Sequence, residues 1–368
     1  MSSQTSLQTP IDQEALLYSI AFSMLPGLGE VQKNKLLQYY STAKQIHAFR
    51  KKGSLDWPLH AAQQELDFIN KHQIECIPIG SEKYPYRLAQ LPDAPTVLYL
   101  KGNNAFHLPQ IISIIGTRQH TSQVHKVVQE LIEGIRHLKM GVVSGLALGV
   151  DGIAHASALQ YHLPTWGVLA HGLDQIYPNE HRKLAQQMLE QGGLLTECRQ
   201  KTPTMPYQFP KRNRIVAGMS DATIVIESPI AGGSMITAKL ASSYDREVFA
   251  VPGKIHDAKS KGCLWLIKNN IAQMYYDPIQ LLEQMNWPQA PPTIQNSNPN
   301  PFTQNALKLS MDPIDKKIYH YIQLHGPIHK DQIAQDMNMD LGSLASHLLG
   351  LELNGLIHLQ AGNRYSCS

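Results

Sequence analysis

Cysteine is scarce in this chain, and its placement excludes two classes of protein. Only 4 of the 368 residues are cysteines, and no two of them have the spacing of zinc ligands. Domains held together by disulfides are dense in cysteine, so a disulfide framework is excluded as well. We expect reduced thiols and predict no metal site. The four residues are Cys76, Cys198, Cys263 and Cys367.

Long apolar runs and phosphate-binding fingerprints are also missing. Without a run of membrane length or a charged-then-apolar amino-terminal signal, we expect a soluble, cytoplasmic protein that contacts no membrane. No Gly-Lys-Ser/Thr occurs, and the first turn of the central region has one glycine where a dinucleotide fingerprint needs three. We therefore predict no cofactor. The net charge of +3 is too small to indicate a partner.

Five short β-branched apolar runs dominate the middle of the chain, and a Gly-centred or polar turn follows each one at once. Helix-length stretches separate them, which is typical of buried parallel strands in an α/β sheet. The carboxyl ends of such strands meet at one edge, where ligands bind. The sequence therefore predicts one groove lined by these turns. The runs are residues 111–115, 142–143, 166–170, 224–226 and 248–251.

Composition divides the chain into four parts. Helical periodicity predicts an N-terminal helical domain over residues 10–75, and the strand pattern assigns 76–287 to the central α/β domain. Residues 288–305 are rich in proline, uncharged and predicted to be a flexible linker. Three helices and a hairpin predict a winged helix over 306–368. Its third helix, 341–353, has no Lys or Arg, so a protein contact or weak DNA binding fits it better than base readout.

The N-terminal helices are interrupted by two glycines in a short turn, Leu25-Pro26-Gly27-Leu28-Gly29. With Lys33 and Lys35 after it, this turn resembles a helix-hairpin-helix turn whose amides hold a phosphate. A plain helix connection accounts for it equally well.

Candidate binding residues come from three of the central turns and one basic segment. Glycines permit close approach of a ligand, and cations beside an aromatic ring at a helix start suit single-stranded nucleic acid. An arginine at a strand end is also common in surface ion pairs, and a basic run is also common on solvated faces. The candidates are Gly116, Thr117, Arg118, Ser144, Gly145, Phe209, Lys211, Arg212, Asn213, Arg214, Gly232, Gly233, Ser234 and Thr237.

Asp151 and His155 lie four residues apart in the second turn, on one predicted helix face. This spacing permits a general-base pair. Because no nucleophile accompanies them, we favour a structural role in which a capping Asp bonds the His.

These motifs, in this order, resemble the DNA-processing protein A family (DprA, also called Smf). Besides the candidate residues, the resemblance includes 172–174, Tyr177-Pro178 and 246–253, and it covers the whole central domain. The chain differs from the family pattern at 122–124, 262–264 and 270–271.

The resemblance implies an extended Rossmann-like domain with a mostly parallel sheet, an N-terminal helical domain of SAM or helix-hairpin-helix type, and a winged helix. It implies a non-enzymatic protein that binds and protects single-stranded DNA, loads the RecA recombinase during natural transformation, and forms a homodimer through the Rossmann-like domain. Arg118 and 212–214 would hold the DNA backbone, with Phe209 near the bases.

Two alternatives remain at this point. One is a nucleotide-processing hydrolase related to the lysine-decarboxylase-like group, although Ala238 to Ala241 lacks the acid which that chemistry needs. The other is a transcription regulator acting through the winged helix.

Overall fold

The computed structural model describes residues 12–49, 56–289, 312–325, 327–353, 356–360 and 364–367. The chain forms two compact units, Met1–Pro291 and Pro292–Ser368. The predicted N-terminal and central domains therefore share one unit. Most of the predicted linker lies outside the described residues.

The first unit consists of helices on both faces of a sheet. Its helices are α1 (Gln13–Ser23), α2 (Glu30–Tyr40), α3 (Ala43–Phe49), α4 (Leu59–Lys71), α5 (Tyr86–Ala89), α6 (Gln123–Ile135), α7 (Val150–Gln160), α8 (Arg182–Gln191), α9 (Gln208–Gly218), α10 (Gly233–Ser243), α11 (Lys261–Lys268) and α12 (Pro278–Gln284). Its strands are β1 (Glu75–Pro78), β2 (Val97–Gly102), β3 (Ile111–Ile115), β4 (Gly141–Ser144), β5 (Thr165–Val168), β6 (Gly193–Thr196), β7 (Ala222–Val225), β8 (Glu247–Ala250) and β9 (Gln273–Met274).

The sheet has the order β1-β2-β6-β5-β4-β3-β7-β8-β9 and is mostly parallel. Strands β3 to β9 pair in parallel, whereas β1 with β2 and β2 with β6 are antiparallel. All five predicted runs are strands, and the fold class is confirmed. The chain adds strands in one direction from β3 to β6, and the connection from β6 to β7 then returns to place β7 on the other side of β3. The boundary between β3 and β7 is therefore where an open α/β sheet forms its binding crevice.

The apolar run 97–100 also predicts a strand, which forms β2, whereas β1, β6 and β9 were not predicted. Strand β6 lacks β-branched residues except at its end, and glycines precede it, so its sequence has a weak strand signal. Gly192 is required because β5 passes close to it: a Cβ on Gly192 would lie 2.0 Å from the Thr165 carbonyl oxygen.

Alternate side chains of each strand pack into two hydrophobic cores, one on each face of the sheet. In β3, Ile111 and Ile115 pack into one core while Ile112 and Ile114 pack into the other. Because successive side chains point to opposite faces, a strand covered on both sides is apolar throughout. This explains why β3 was predicted with its observed bounds.

The N-terminal helices pack against the antiparallel end of the sheet. Ile20 of α1 and Leu66 of α4 share a core with Val97 and Tyr99 of β2. Asn34 of α2 fixes this packing, since its Nδ2 donates to the Ala94 carbonyl at 2.9 Å. The helices therefore join the central domain as one unit.

The second unit has the predicted order of three helices and a hairpin, with one short additional strand. Buried Ile and Leu side chains from the three helices form its core. The predicted turn 361–363 lies outside the described residues. The elements are α13 (Pro313–His325), β10 (Ile328–His329), α14 (Lys330–Asp336), α15 (Leu341–Leu353), β11 (Ile357–Gln360) and β12 (Arg364–Cys367), with sheet order β10-β12-β11.

A buried ion pair connects the segment before β2 to the sheet. Arg87 of α5 is 2% exposed; its Nε donates to Asp221 Oδ1 at 2.6 Å and its Nη2 to the Pro109 carbonyl at 2.7 Å. The other oxygen of Asp221 accepts from the Ile111 amide at 2.8 Å. The pair therefore fixes the start of β3.

We expect Arg87→Met to lower the free energy of unfolding by about 2–4 kcal/mol, because it leaves a carboxylate and a carbonyl without their buried donor. Urea unfolding measures this. The control is Lys83→Met, which removes an exposed pair with Glu75 and should cost less than about 1 kcal/mol. Equal losses in the two variants would contradict the structural role of Arg87.

Candidate nucleic-acid groove

The turns after β3, β4 and β7 meet the start of α9 around a cavity of about 430 Å³, which we call the groove. It lies at the carboxyl edge of the parallel strands, as predicted, but only three of the five predicted turns line it. Pro252 and Gly253 after β8 line a separate cavity, and His171 and Gly172 after β5 are not among the groove residues. All the predicted candidates line the groove except Ser144, Lys211 and Arg214.

Two glycines let the first two turns pack against each other. A Cβ on Gly116 would lie 2.5 Å from Val150 Cγ2, and one on Gly149, where φ is +82°, would lie 2.3 Å from the Thr117 carbonyl oxygen. The Thr117 amide donates to the Glu227 carbonyl at 2.8 Å. The groove wall is therefore backbone packed on backbone, and only small residues fit there.

Arg118 is the exposed cation of the groove. Its guanidinium carbon lies 5.5 Å from the centre of the Phe209 ring, and no acid forms an ion pair with it among the residues that the structure describes. Phe209 is also 6.1 Å, centre to centre, from Tyr177, which is 47% exposed. An unpaired cation beside two aromatic rings matches the requirements of single-stranded nucleic acid.

Tyr177 was not among the candidates for binding. It follows β5 in sequence but reaches Phe209 and Arg118 only in the folded chain. The available signal was its place in a Tyr-Pro pair after one of the predicted turns.

Arg212 is buried and is used internally, whereas the sequence suggested a backbone contact with DNA. It is 6% exposed. Its Nη1 donates to the Gly145 carbonyl at 2.6 Å and also to the Val168 carbonyl. Burial lowers the pKa of its guanidinium to about 10, with nearby Asp151 acting in the opposite direction. At neutral pH it stays charged and ties the ends of β4 and β5 together.

Lys211 and Arg214 point away from the groove. Helix α9 begins at Gln208, so the basic segment 211–214 lies inside the helix and not, as expected, before it. Neighbouring residues of a helix point in different directions, and so do these cations. Glu197 Oε2 accepts from Arg214 Nη2 at 2.6 Å and lies 3.1 Å from Lys211 Nζ. Arg214 is buried in this contact, whereas Lys211 remains 52% exposed.

Asp151 and His155 are both structural, but they do not bond each other as we had expected. Asp151 Oδ2 accepts from the amides of Gly145 and Ala147 at 3.1 and 3.4 Å. His155 Nδ1 is 2.7 Å from Thr165 Oγ1. Burial raises the pKa of the Asp151 carboxyl, and burial next to His181 and Arg212 lowers the pKa of His155 to about 3. His155 is therefore neutral at physiological pH.

The remaining candidates differ in exposure. Ser144 is fully buried and donates to the Ile114 carbonyl at 2.6 Å. Ser234 and Thr237 are buried on α10, where Ser234 Oγ donates to Ser228 Oγ at 2.8 Å. Gly233, the first residue of α10, faces open space. The helix start is thus the accessible part of this wall.

The N-terminal glycine turn lies between α1 and α2 as predicted, but its first lysine is occupied. Lys33 is 3% exposed and donates to the Ser23 carbonyl at 2.6 Å. Lys33 is therefore not available to a phosphate, which supports the interpretation of the turn as a plain helix connection.

The family models match both units. Residues 75–286 match the model described as DNA recombination-mediator protein A, and residues 304–363 match the DprA winged helix domain. The chain belongs to the DprA/Smf family. The resemblance drawn from the motifs is confirmed.

Relatives and solved structures agree with this membership. Protein Smf of Escherichia coli (strain K12) is 33% identical over 310 residues, 82% of this chain and 80% of the relative. DNA processing protein DprA of Bacillus subtilis (strain 168) is 37% identical over 228 residues, 62% of this chain and 77% of the relative.

Two solved structures extend the match to the fold. The X-ray structure of DprA from Streptococcus pneumoniae has a TM-score of 0.61 at 29% identity, covering 75% of this chain and 99% of that one. DprA from Helicobacter pylori, described for its single-stranded DNA binding mode, has a TM-score of 0.53 at 28% identity, covering 58% and 96%. Among the helices of the described residues, none is long and apolar enough to cross a membrane.

We expect Arg212→Met to lower the free energy of unfolding by about 2–4 kcal/mol. It leaves the Gly145 and Val168 carbonyls without their donor and removes the positive charge near the buried Asp151 carboxyl. Chemical denaturation measures the loss. Lys211→Met, one residue away and half exposed, should cost less than about 1 kcal/mol. If Arg212→Met is as stable as the unaltered protein but fails to bind DNA, the structural assignment is wrong.

Proposed function

We propose that this protein binds single-stranded DNA along the groove, without sequence preference and without catalysing a reaction. The observation that carries this proposal is Arg118, exposed and unpaired among the described residues, above Phe209 at the mouth of a glycine-lined groove. Phosphates would contact Arg118 and the open start of α10, and bases would stack on Phe209 and Tyr177. The Helicobacter pylori relative, named for its single-stranded DNA binding, supports the proposal.

The biological role that we propose is recombination mediation in the cytoplasm. A protein that holds the backbone without reading bases can protect incoming strands during natural transformation and still leave them available for pairing. Loading of the RecA recombinase on the same strand completes this proposal. The family's description as a recombination mediator supports it.

The hydrolase alternative needs a free carboxylate in the groove, and none lines it within the described part of the chain. The acid that lines it, Asp151, is 8% exposed and committed to two turn amides. Helix α10 contains no Asp or Glu at all. A general acid or base must reach the substrate, and Asp151 is held away from it by its own hydrogen bonds.

Arg118→Ala should weaken binding to an oligo-dT strand about tenfold and reduce the salt slope by about 0.7, the contribution of one neutralised phosphate on a single strand. Phe209→Ala should cost about 1–3 kcal/mol of binding from lost stacking. Fluorescence anisotropy at two salt concentrations measures both effects.

Arg136→Ala is the matched control. Its guanidinium lies 5.6 Å from the centre of the Tyr161 ring, nearly the geometry of Arg118 over Phe209. Arg136 follows α6 and precedes β4, at the opposite edge of the sheet from the groove. Unchanged affinity in this control is expected. Equal loss in Arg118→Ala and Arg136→Ala would remove the groove assignment.

A homodimer through the Rossmann-like domain is part of the proposal, and we assign its contact to the β9 edge. Strand β9 is the outermost strand of the sheet, so one side of its backbone has no partner strand among the residues that the structure describes. Met274, Tyr276 and Ile279 at this edge are 45%, 75% and 58% exposed. Apolar side chains clustered beside an open strand edge are typical of a protein interface.

Ile279→Asp should weaken self-association by about 2 kcal/mol or more, because it puts a charge into an apolar contact. Size-exclusion chromatography with light scattering measures the mass. Tyr39→Asp on α2, 80% exposed, is the control and should remain dimeric. A monomeric unaltered protein, or a dimeric Ile279→Asp variant, would contradict the assignment.

A further inference from the structure

A second cavity, of about 290 Å³, lies beside the start of α9, between the end of α1 and the segment that joins β6 to α9. We call it the side pocket. Arg212 lines both this pocket and the groove. The two cavities are therefore neighbours, separated by the thickness of one buried side chain.

The side pocket carries an excess of positive charge. Its acid, Glu197, is shared between Arg214 and Lys211 and so compensates only one of two cations. Arg199 adds a third, and no acid forms an ion pair with it within the described ranges. Arg199 Nη1 donates a hydrogen bond to Met24 Sδ at 3.7 Å. The pocket therefore has cations that remain available to bind an anion.

The buried acid of the neighbouring helix offsets this charge only in part, although Arg199 lies near enough to attract it. Glu65 of α4 is 3% exposed, and both its oxygens accept from the Gln200 amide, at 3.1 and 3.2 Å. Burial raises the pKa of its carboxyl. Glu65 is therefore occupied beneath the loop, and it does not face the opening of the pocket as a free charge.

An exposed aromatic ring lies at the same opening. Tyr207, which caps α9, is 68% exposed and precedes Phe209 of the groove by two residues. A ring this exposed has no packing role that would account for it, and it presents a face on which a base can stack. The aromatic ring and cations of the groove are therefore repeated on the adjacent side of α9.

We propose that the side pocket binds a further stretch of the same DNA strand, which crosses the start of α9 on leaving the groove. Arg199 and Lys211 contact its phosphates, and Tyr207 stacks on a base. The end of α1, through Ser23 and Met24, forms the outer wall. This gives the N-terminal helices a role in DNA binding that the glycine turn itself does not supply. The inference rests on the proposed function of the groove.

The test compares oligo-dT strands of two lengths on the full chain: about five nucleotides, enough for the groove, and about twenty, enough for both cavities. An Arg199→Ala, Tyr207→Ala double variant should bind the short strand like the unaltered protein and the long strand about tenfold more weakly. Arg118→Ala should weaken both. Arg199→Glu, a single exposed substitution, should repeat the length-dependent loss.

A Lys126→Ala, Tyr39→Ala variant is the control, because both residues are highly exposed and neither lines the pocket. It should bind both strands normally. Undiminished binding of the long strand by the side-pocket variants, or equal loss on both lengths, overturns the inference while the groove assignment stands. Failure of the unaltered protein to bind either strand overturns the proposed function and this inference together.

Discussion

The groove depends on one buried guanidinium. Arg212 donates to the carbonyls that end β4 and β5, while Asp151 accepts from amides of the same turn. Buried donors and acceptors are costly to leave without partners, so these hydrogen bonds hold the turn in one conformation. A Cβ on Gly145 would lie 2.6 Å from atoms of both side chains, which is why glycine stands there. The site is thus built before any ligand arrives.

This arrangement separates two roles within one basic segment. Arg212 and Arg214 stabilise the fold, while Lys211 remains exposed on one side of α9 and Arg118 lies across the groove on the other. A phosphate backbone needs cations that water can reach, because the binding energy comes largely from released counterions. In the proposed DNA site, fewer cations are accessible than the sequence suggests, so the proposal gives aromatic stacking a correspondingly larger share of the binding energy.

The packing of the N-terminal helices completes the side pocket. Because α1 and α4 share a core with β2, the end of α1 lies against the segment that leads into α9. A helical domain on a free tether would leave the side pocket without its outer wall. The winged helix, by contrast, forms a unit of its own, and its third helix, which has no Lys or Arg, favours a protein partner over duplex DNA.

The sequence by itself determined five of the parallel strands, the groove edge and the family, because buried strands favour continuous β-branched runs and their turns favour small residues. Strand β3 and helix α15 were predicted with their observed bounds. Only the tertiary structure decided which cations are free. Residues 211, 212 and 214 look alike in sequence, yet helix α9 points each in its own direction, towards solvent, Gly145 or Glu197. Burial and partner choice depend on distant segments, and local sequence does not encode them.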